Sequence, residues 1–286
     1  MSEKNKMNEK RTNYATLIPP GRRRDMSIKI VFFDMDGTLV DYGSPMPAPD
    51  TMLALRQLAD QGIKIVISTG RPPYVVPHFP GIHWNASITF NGALVQSDQK
   101  VLYENPIDHE DIESLYEWCL KNDKPVLFAG KEEMRAPFYD PALEEYMNIA
   151  SQHCDVIEEG RDFHEFIDQP IYQGMIAVPV SEKKKVLDGL KSADMVGWYP
   201  TSADIIPYGN SKGTGVKKIL EHYGFSKEEA MAFGDGDNDL QMLDAVGLPI
   251  AMGNATEAVK DACIYTTHSV STDGIRHALK HFGVLQ

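Results

Sequence analysis

The sequence predicts an α/β protein: a doubly wound, Rossmann-like parallel sheet interrupted by an inserted α+β module. Three observations carry this. Residues 27–33 (SIKIVFF) and 63–67 (IKIVI) are short apolar runs rich in β-branched and aromatic residues, as in strands buried on both faces. Between them, residues 50–60 set Met52, Leu55 and Leu58 at helical spacing, and strand–helix–strand over this length is a βαβ unit with parallel strands. After Asn91-Gly92 the pattern changes, and βα alternation resumes only near Asp204.

Taken in order, residues 1–26 have no sustained hydrophobic period and end in Pro19, Pro20 and Gly21, which reads as a disordered tail. The first helix has Asp50 as its expected N-cap and Gly62 as its stop. Residues 86–90 (ASITF) add a strand. The module then reads as helix 108–121, strand 125–130, helix 140–151, strand 172–178, helix 181–191 and strand 194–199. Helix 213–223, strand 230–233, helix 239–245, strand 249–252 and helix 273–282 complete the chain, with Asp273 at the last N-cap. The expected domains are a core from 27–94 and 203–286, and an inserted domain from 95–202.

Composition excludes several functions. The 286 residues are 42% hydrophobic and 24% charged, ordinary for a globular enzyme. Net charge is -13; residues 1–26 hold seven bases against three acids, a net +4 that leaves -17 on the rest. So acidic a body argues against nucleic-acid backbone binding. It also requires local positive charge wherever an anion is to be bound. No apolar run approaches the ~18 residues of a membrane-spanning helix, and the polar N-terminus shows no signal peptide. Cys119, Cys154 and Cys263 stand far apart and read as free thiols in a reducing cytoplasm.

Four motifs carry chemistry. Asp34-Met35-Asp36-Gly37-Thr38-Leu39 follows the first strand, at the carboxyl end where open α/β sheets bind ligands. Alternate residues of extended chain point the same way, so Asp34 and Asp36 can converge, and two adjacent carboxylates need a cation or proton between them. The plainer alternative is an Asx-Gly turn. Gly234-Asp235-Gly236-Asp237-Asn238-Asp239 follows another strand and offers the hard oxygen donors that suit Mg²⁺. An EF-hand loop fails there, because its twelfth position is Val246 rather than Glu. Asp239 also opens a helix, where it would serve as a cap. Ser68-Thr69-Gly70-Arg71 ends the second strand with hydroxyls and backbone N–H groups suited to phosphate. Lys212 begins a helix, where the dipole disfavours a cation.

In this order, the four motifs resemble those of the haloacid dehalogenase superfamily of phosphotransferases. Asn91-Gly92-Ala93 and Ala251-Met252-Gly253-Asn254-Ala255 are similar to its Cof-type subgroup, which inserts a large C2-type α+β cap between the second and third motifs. The resemblance implies a phosphatase with Asp34 as nucleophile and Asp36 as general acid and base. It implies Mg²⁺ held by Asp34, the Asp36 carbonyl and Asp235. It also places Thr69, Gly70, Lys212 and Asn238 on the phosphoryl group, with Asp239 and Arg71 supporting them. Thr69 is favoured over Ser68, and Asp237 has no role.

The implied substrate is a small phosphorylated metabolite, a sugar phosphate first. A phosphosugar mutase and a non-catalytic phosphate-binding regulatory protein are the alternatives. A monomer or homodimer, without nucleic-acid or membrane partners, is expected. Trp118, Phe138, Tyr139, Phe163, Phe166 and Trp198 read mainly as the cap's own core, and His164 as a surface residue. His153 and Cys154 adjoin, but no second pair stands at ligand spacing.

Overall fold

The computed structural model describes residues 27–98, 100–150, 155–156 and 163–286; the tail 1–26, His153 and Cys154 lie outside these. Its strands are β1 (Ile30–Phe33), β2 (Lys64–Ser68), β3 (Ala86–Thr89), β4 (Leu94–Ser97), β5 (Lys100–Glu104), β6 (Val126–Gly130), β7 (Met134–Ala136), β8 (Asp155–Val156), β9 (Ile171–Ile176), β10 (Ala193–Tyr199), β11 (Ser202–Pro207), β12 (Ala230–Gly234), β13 (Leu248–Ala251) and β14 (Tyr265–Thr266). The helices are α1 (Pro49–Asp60), α2 (His109–Asn122), α3 (Pro141–Ala150), α4 (His164–Ile167), α5 (Lys183–Val186), α6 (Lys212–Tyr223), α7 (Leu240–Asp244), α8 (Glu257–Ala262) and α9 (Gly274–His281). Two compact units result. The first takes the described residues up to Ser68 with Phe79–Ser87 and Val216–Gln286, and the second takes Thr69–His78 and Ile88–Gly215.

In the first unit the strands run β14-β13-β12-β1-β2, all parallel. β1 is fully buried, which explains its unbroken apolar sequence. Phe33 stacks on Phe233 of β12 with ring centroids 5.4 Å apart. From β1 the chain passes through α1 to β2 on one side. It returns on the other side with β12, β13 and β14. The strand order therefore reverses between β1 and β12, and a doubly wound sheet opens its ligand crevice at that reversal.

The second unit is α+β. Its six-stranded sheet runs β10-β11-β9-β6-β7-β8 and is antiparallel except between β7 and β8. β6 shows the period of two that a sheet covered on both faces requires. Val126 and Phe128 join Ile112, Leu115 and Cys119 of α2, whereas Leu127 and Ala129 join Leu143, Tyr146 and Met147 of α3. Among the described residues, no helix is long and apolar enough to cross a membrane.

The fold class is the one the sequence predicts, but several details differ. α1 starts at Pro49 after Ala48, without a side-chain cap. Proline at the first helical position is pre-set for the helix, and Asp50 instead accepts a 2.9 Å hydrogen bond from Arg276. The expected helix 181–191 shrinks to a 3₁₀ turn and the four-residue α5, because the chain turns at Gly189 with φ of 87°. β11 is a strand that the expected elements do not include; Ser202–Pro207 is buried at every residue, but the polar Ser202 and Asp204 interrupt its apolar run. Asp273 stands at the N-cap of α9, yet its carboxylate meets His268 Nδ1 at 2.7 Å instead of capping.

Candidate active site

The first unit gathers acids at the β1/β12 reversal. Parallel pairing sets Phe33 opposite Phe233, and the Asp34 N–H donates to the Phe233 carbonyl at 3.0 Å. Asp34 and Asp235 therefore leave neighbouring strand ends. Both are 6% exposed, and Asp239 is wholly buried. One carboxylate oxygen from each of Asp34, Asp235 and Asp239 can lie within 4.8 Å of the others.

Local hydrogen bonds fix this arrangement. After Asp34 the chain closes a tight turn: the N–H groups of Leu39 and Val40 both donate to the Met35 carbonyl, at 2.9 and 3.0 Å. The turn needs Gly37, whose φ is 85°; a Cβ there would lie 2.2 Å from Asp235 Oδ2. It also aims the Thr38 hydroxyl at Asp235 Oδ1, 2.8 Å away. Asn254 ties the turn from the other side, donating to the Gly37 carbonyl at 2.8 Å and accepting from the Val270 N–H at 2.9 Å.

The second acidic loop is held likewise. Asp237, Asn238 and Asp239 form a 3₁₀ turn leading into α7. Asp239 does not cap α7; its carboxylate folds back to accept the N–H groups of Asp235 and Gly236 at 3.0 and 3.1 Å. The exposed Asp237 accepts the Thr256 hydroxyl at 2.7 Å, and the Thr256 N–H donates to the Asp235 carbonyl at 3.0 Å. Asp36 is half-buried in the first turn, bridged to Val40.

Three close carboxylates are costly without a cation. The Tyr42 hydroxyl is pushed above the ordinary phenol range by loss of hydration, then by the charge of these three acids and of Asp36. An all-oxygen, all-carboxylate set fits a hard divalent cation.

The remaining predicted residues belong to the second unit. Thr69 is 1% exposed; its hydroxyl accepts the Arg71 N–H at 3.1 Å and its carbonyl accepts the Asn91 N–H at 3.1 Å. Gly70 packs against Asn91, with room of only 3.0 Å between a built Cβ and Nδ2. Arg71 reaches the Val75 carbonyl at 3.5 Å. Lys212 opens α6 at 1% exposure, after Ser211, whose hydroxyl accepts the Thr214 N–H at 3.2 Å. Gly92, at φ of 101°, lies so close to Ser211 that a Cβ would stand 2.1 Å from its carbonyl oxygen. The Asn91-Gly92 pair is thereby seated against the chain entering Lys212. Ser68 is buried in the first unit, and its hydroxyl has no hydrogen-bond partner among the described residues.

Thr38, Asn254 and Thr256 received no role from the sequence. Thr38 and Asn254 sit inside quoted motifs, and a hydroxyl or amide beside a tight turn was the available signal. Thr256 precedes Glu257 and accepts the Val259 N–H at 3.3 Å, the spacing of an N-cap.

An acidic cluster at a strand-order reversal, in a chain that also carries an α+β insertion, defines an α/β hydrolase whose acids could hold a divalent cation. The chain belongs to the haloacid dehalogenase-like hydrolase family, which it matches over residues 31–279, and it is a phosphatase of that family. It is 34% identical to "Putative phosphatase YkrA" of Bacillus subtilis, over 91% of this chain and 100% of that protein. It resembles the solved structure of BT1666 from Bacteroides thetaiotaomicron, a phosphatase of the same superfamily. There the TM-score is 0.82 and identity 30%, over 92% of this chain and 98% of the other. The subclass IIB sugar phosphatase BT4131 gives a TM-score of 0.80 and 31% identity, over 90% and 100%.

Proposed function

We propose that the protein is a Mg²⁺-dependent phosphatase that hydrolyses small sugar phosphates through an aspartyl-phosphate on Asp34. The placement of Asp34 and Asp235 at adjacent strand ends, with Asp239 behind them, carries the reading. Asp34, the Asp36 carbonyl and Asp235 would hold Mg²⁺, which would offset the charge of acids and substrate.

An Asp34 oxygen attacks phosphorus as the bond to the leaving oxygen breaks, and Asp36 gives that oxygen its proton. Asp36 then takes a proton from water. The water oxygen attacks the aspartyl-phosphate, releasing inorganic phosphate and restoring Asp34. Thr69, Gly70, Lys212 and Asn238 bind the phosphoryl oxygens, with Asp239 and Arg71 keeping that set in place. Residues 95–202 act as the cap that selects the leaving group. The sugar preference draws on the likeness to BT4131, a sugar phosphatase. The same reading has a cytoplasmic monomer or homodimer.

Phosphate release from an aryl phosphate and a panel of sugar phosphates tests this. Asp34→Asn should abolish release, as should chelation of Mg²⁺. Wild-type turnover by Asp34→Asn would refute the nucleophile. Phosphate kept on a rearranged sugar would indicate a mutase instead.

A further inference from the structure

The second unit carries another cluster of metal-ligating side chains on α2 and α4. His109 and Glu113 are four residues apart on α2, so they share one helix face. His164 begins α4 and Asp168 directly follows it, again four residues apart. The two pairs meet. His109 Nε2 lies 3.7 Å from Glu113 Oε1 and 3.8 Å from Asp168 Oδ1, and His164 Nδ1 lies 3.2 Å from the same Glu113 oxygen. One donor atom from each of His109, Glu113 and Asp168 lies within 4.8 Å of the others.

We infer that His109, Glu113 and Asp168, with His164 standing beside Glu113, form a site for a borderline divalent transition ion, Zn²⁺ in the first instance. One imidazole and two carboxylates are donors that Zn²⁺ takes, with a fourth position left for a further ligand. Bonds of about 2.1 Å in a tetrahedron set neighbouring donors about 3.4 Å apart, close to the 3.7 and 3.8 Å that separate His109 Nε2 from Glu113 and Asp168. Support is fixed in advance, too. Phe163, Phe166 and Ile167 anchor α4 in the core, and Tyr116 packs edge-on against His164 with centroids 5.2 Å apart. The donors are partly exposed, so an ion can reach them from solvent.

Zinc titration of the full chain in competition with a chromophoric chelator, under saturating Mg²⁺, tests the site. One Zn²⁺ per chain is expected, together with a Zn²⁺-dependent rise in thermal midpoint. His109→Ala, and separately Glu113→Gln, should weaken binding by about tenfold or more and remove the thermal shift. Asp235→Asn should leave both readouts unchanged. Equal zinc affinity in wild type and in His109→Ala/His164→Ala overturns the assignment. So does zinc lost in Asp235→Asn but kept in His109→Ala, or no zinc bound by the wild type.

Discussion

The Thr38 hydroxyl donates a 2.8 Å hydrogen bond to Asp235, which lies 197 residues further along the chain. Thr38 thus links the first acidic motif to the last. Asp235 is nearly buried and receives this bond on Oδ1, which fixes the rotation of its carboxylate. Thr38→Val keeps the shape and removes the donor. Mg²⁺ titration of phosphatase activity should show about tenfold weaker metal affinity with much of the saturated rate retained. An unchanged metal dependence would remove Thr38 from this role.

Gly37→Ala should do more. The new methyl would collide with Asp235 in a backbone conformation that alanine disfavours, at a cost of about 1–3 kcal/mol. Activity should fall at least as far as in Thr38→Val, and denaturant unfolding should register the lost stability.

Asp204 offers a prediction remote from the acids. Tyr146 donates to its Oδ1 at 3.0 Å, and Asn91 donates to its Oδ2 at 3.1 Å, all three residues being buried. Tyr146→Phe removes one donor from a buried carboxylate and should cost about 1–3 kcal/mol in urea unfolding. Tyr208→Phe, at a side chain 71% exposed, should stay within about 0.5 kcal/mol.

Burial pushes the Cys119 thiol up to about 11 and the Cys263 thiol up to about 12. The unfolded thiols ionise near 9, so above that pH the unfolded chain binds fewer protons than the folded one. Stability is therefore intact below about pH 9 and falls as pH rises toward 11–12, by up to about 1.4 kcal/mol per pH unit for each thiol. Urea midpoints at pH 8 and pH 10.5 measure this. In a Cys154→Ser background, both thiols should resist a disulfide reagent at pH 8 until denaturant is added.

Much of the fold was legible because local and global signals agreed. Ile30–Phe33 and Lys64–Ser68 are buried runs flanking an amphipathic helix, and the acids fall at strand ends. Signals failed where the deciding contact was distant. Asp50 is a good cap by local rule, but Arg276 claims it. Asp239 looks like a cap too, yet the N–H groups of Asp235 and Gly236 lie nearer to its carboxylate. Asn254 supports Gly37 from 217 residues away, a pairing that no spacing rule reveals. Ser202–Pro207 hid because the polar Ser202 and Asp204 interrupt its apolar run, although every residue of the strand is buried.

The place of β1 between β2 and β12 has a consequence for biosynthesis. One edge of β1 can be covered as soon as Lys64–Ser68 has been made. The other waits for Ala230–Gly234, which pairs with it residue by residue. At about 5–20 residues per second, a ribosome needs roughly 10–40 s to make that stretch. Throughout that interval an apolar strand ending in Phe32 and Phe33 shows an open edge, the kind of template that promotes self-association. The pair of strands that bears Asp34 and Asp235 is thus also where a nascent chain stays sticky longest. Chaperone demand during expression should track how fast translation reaches β12.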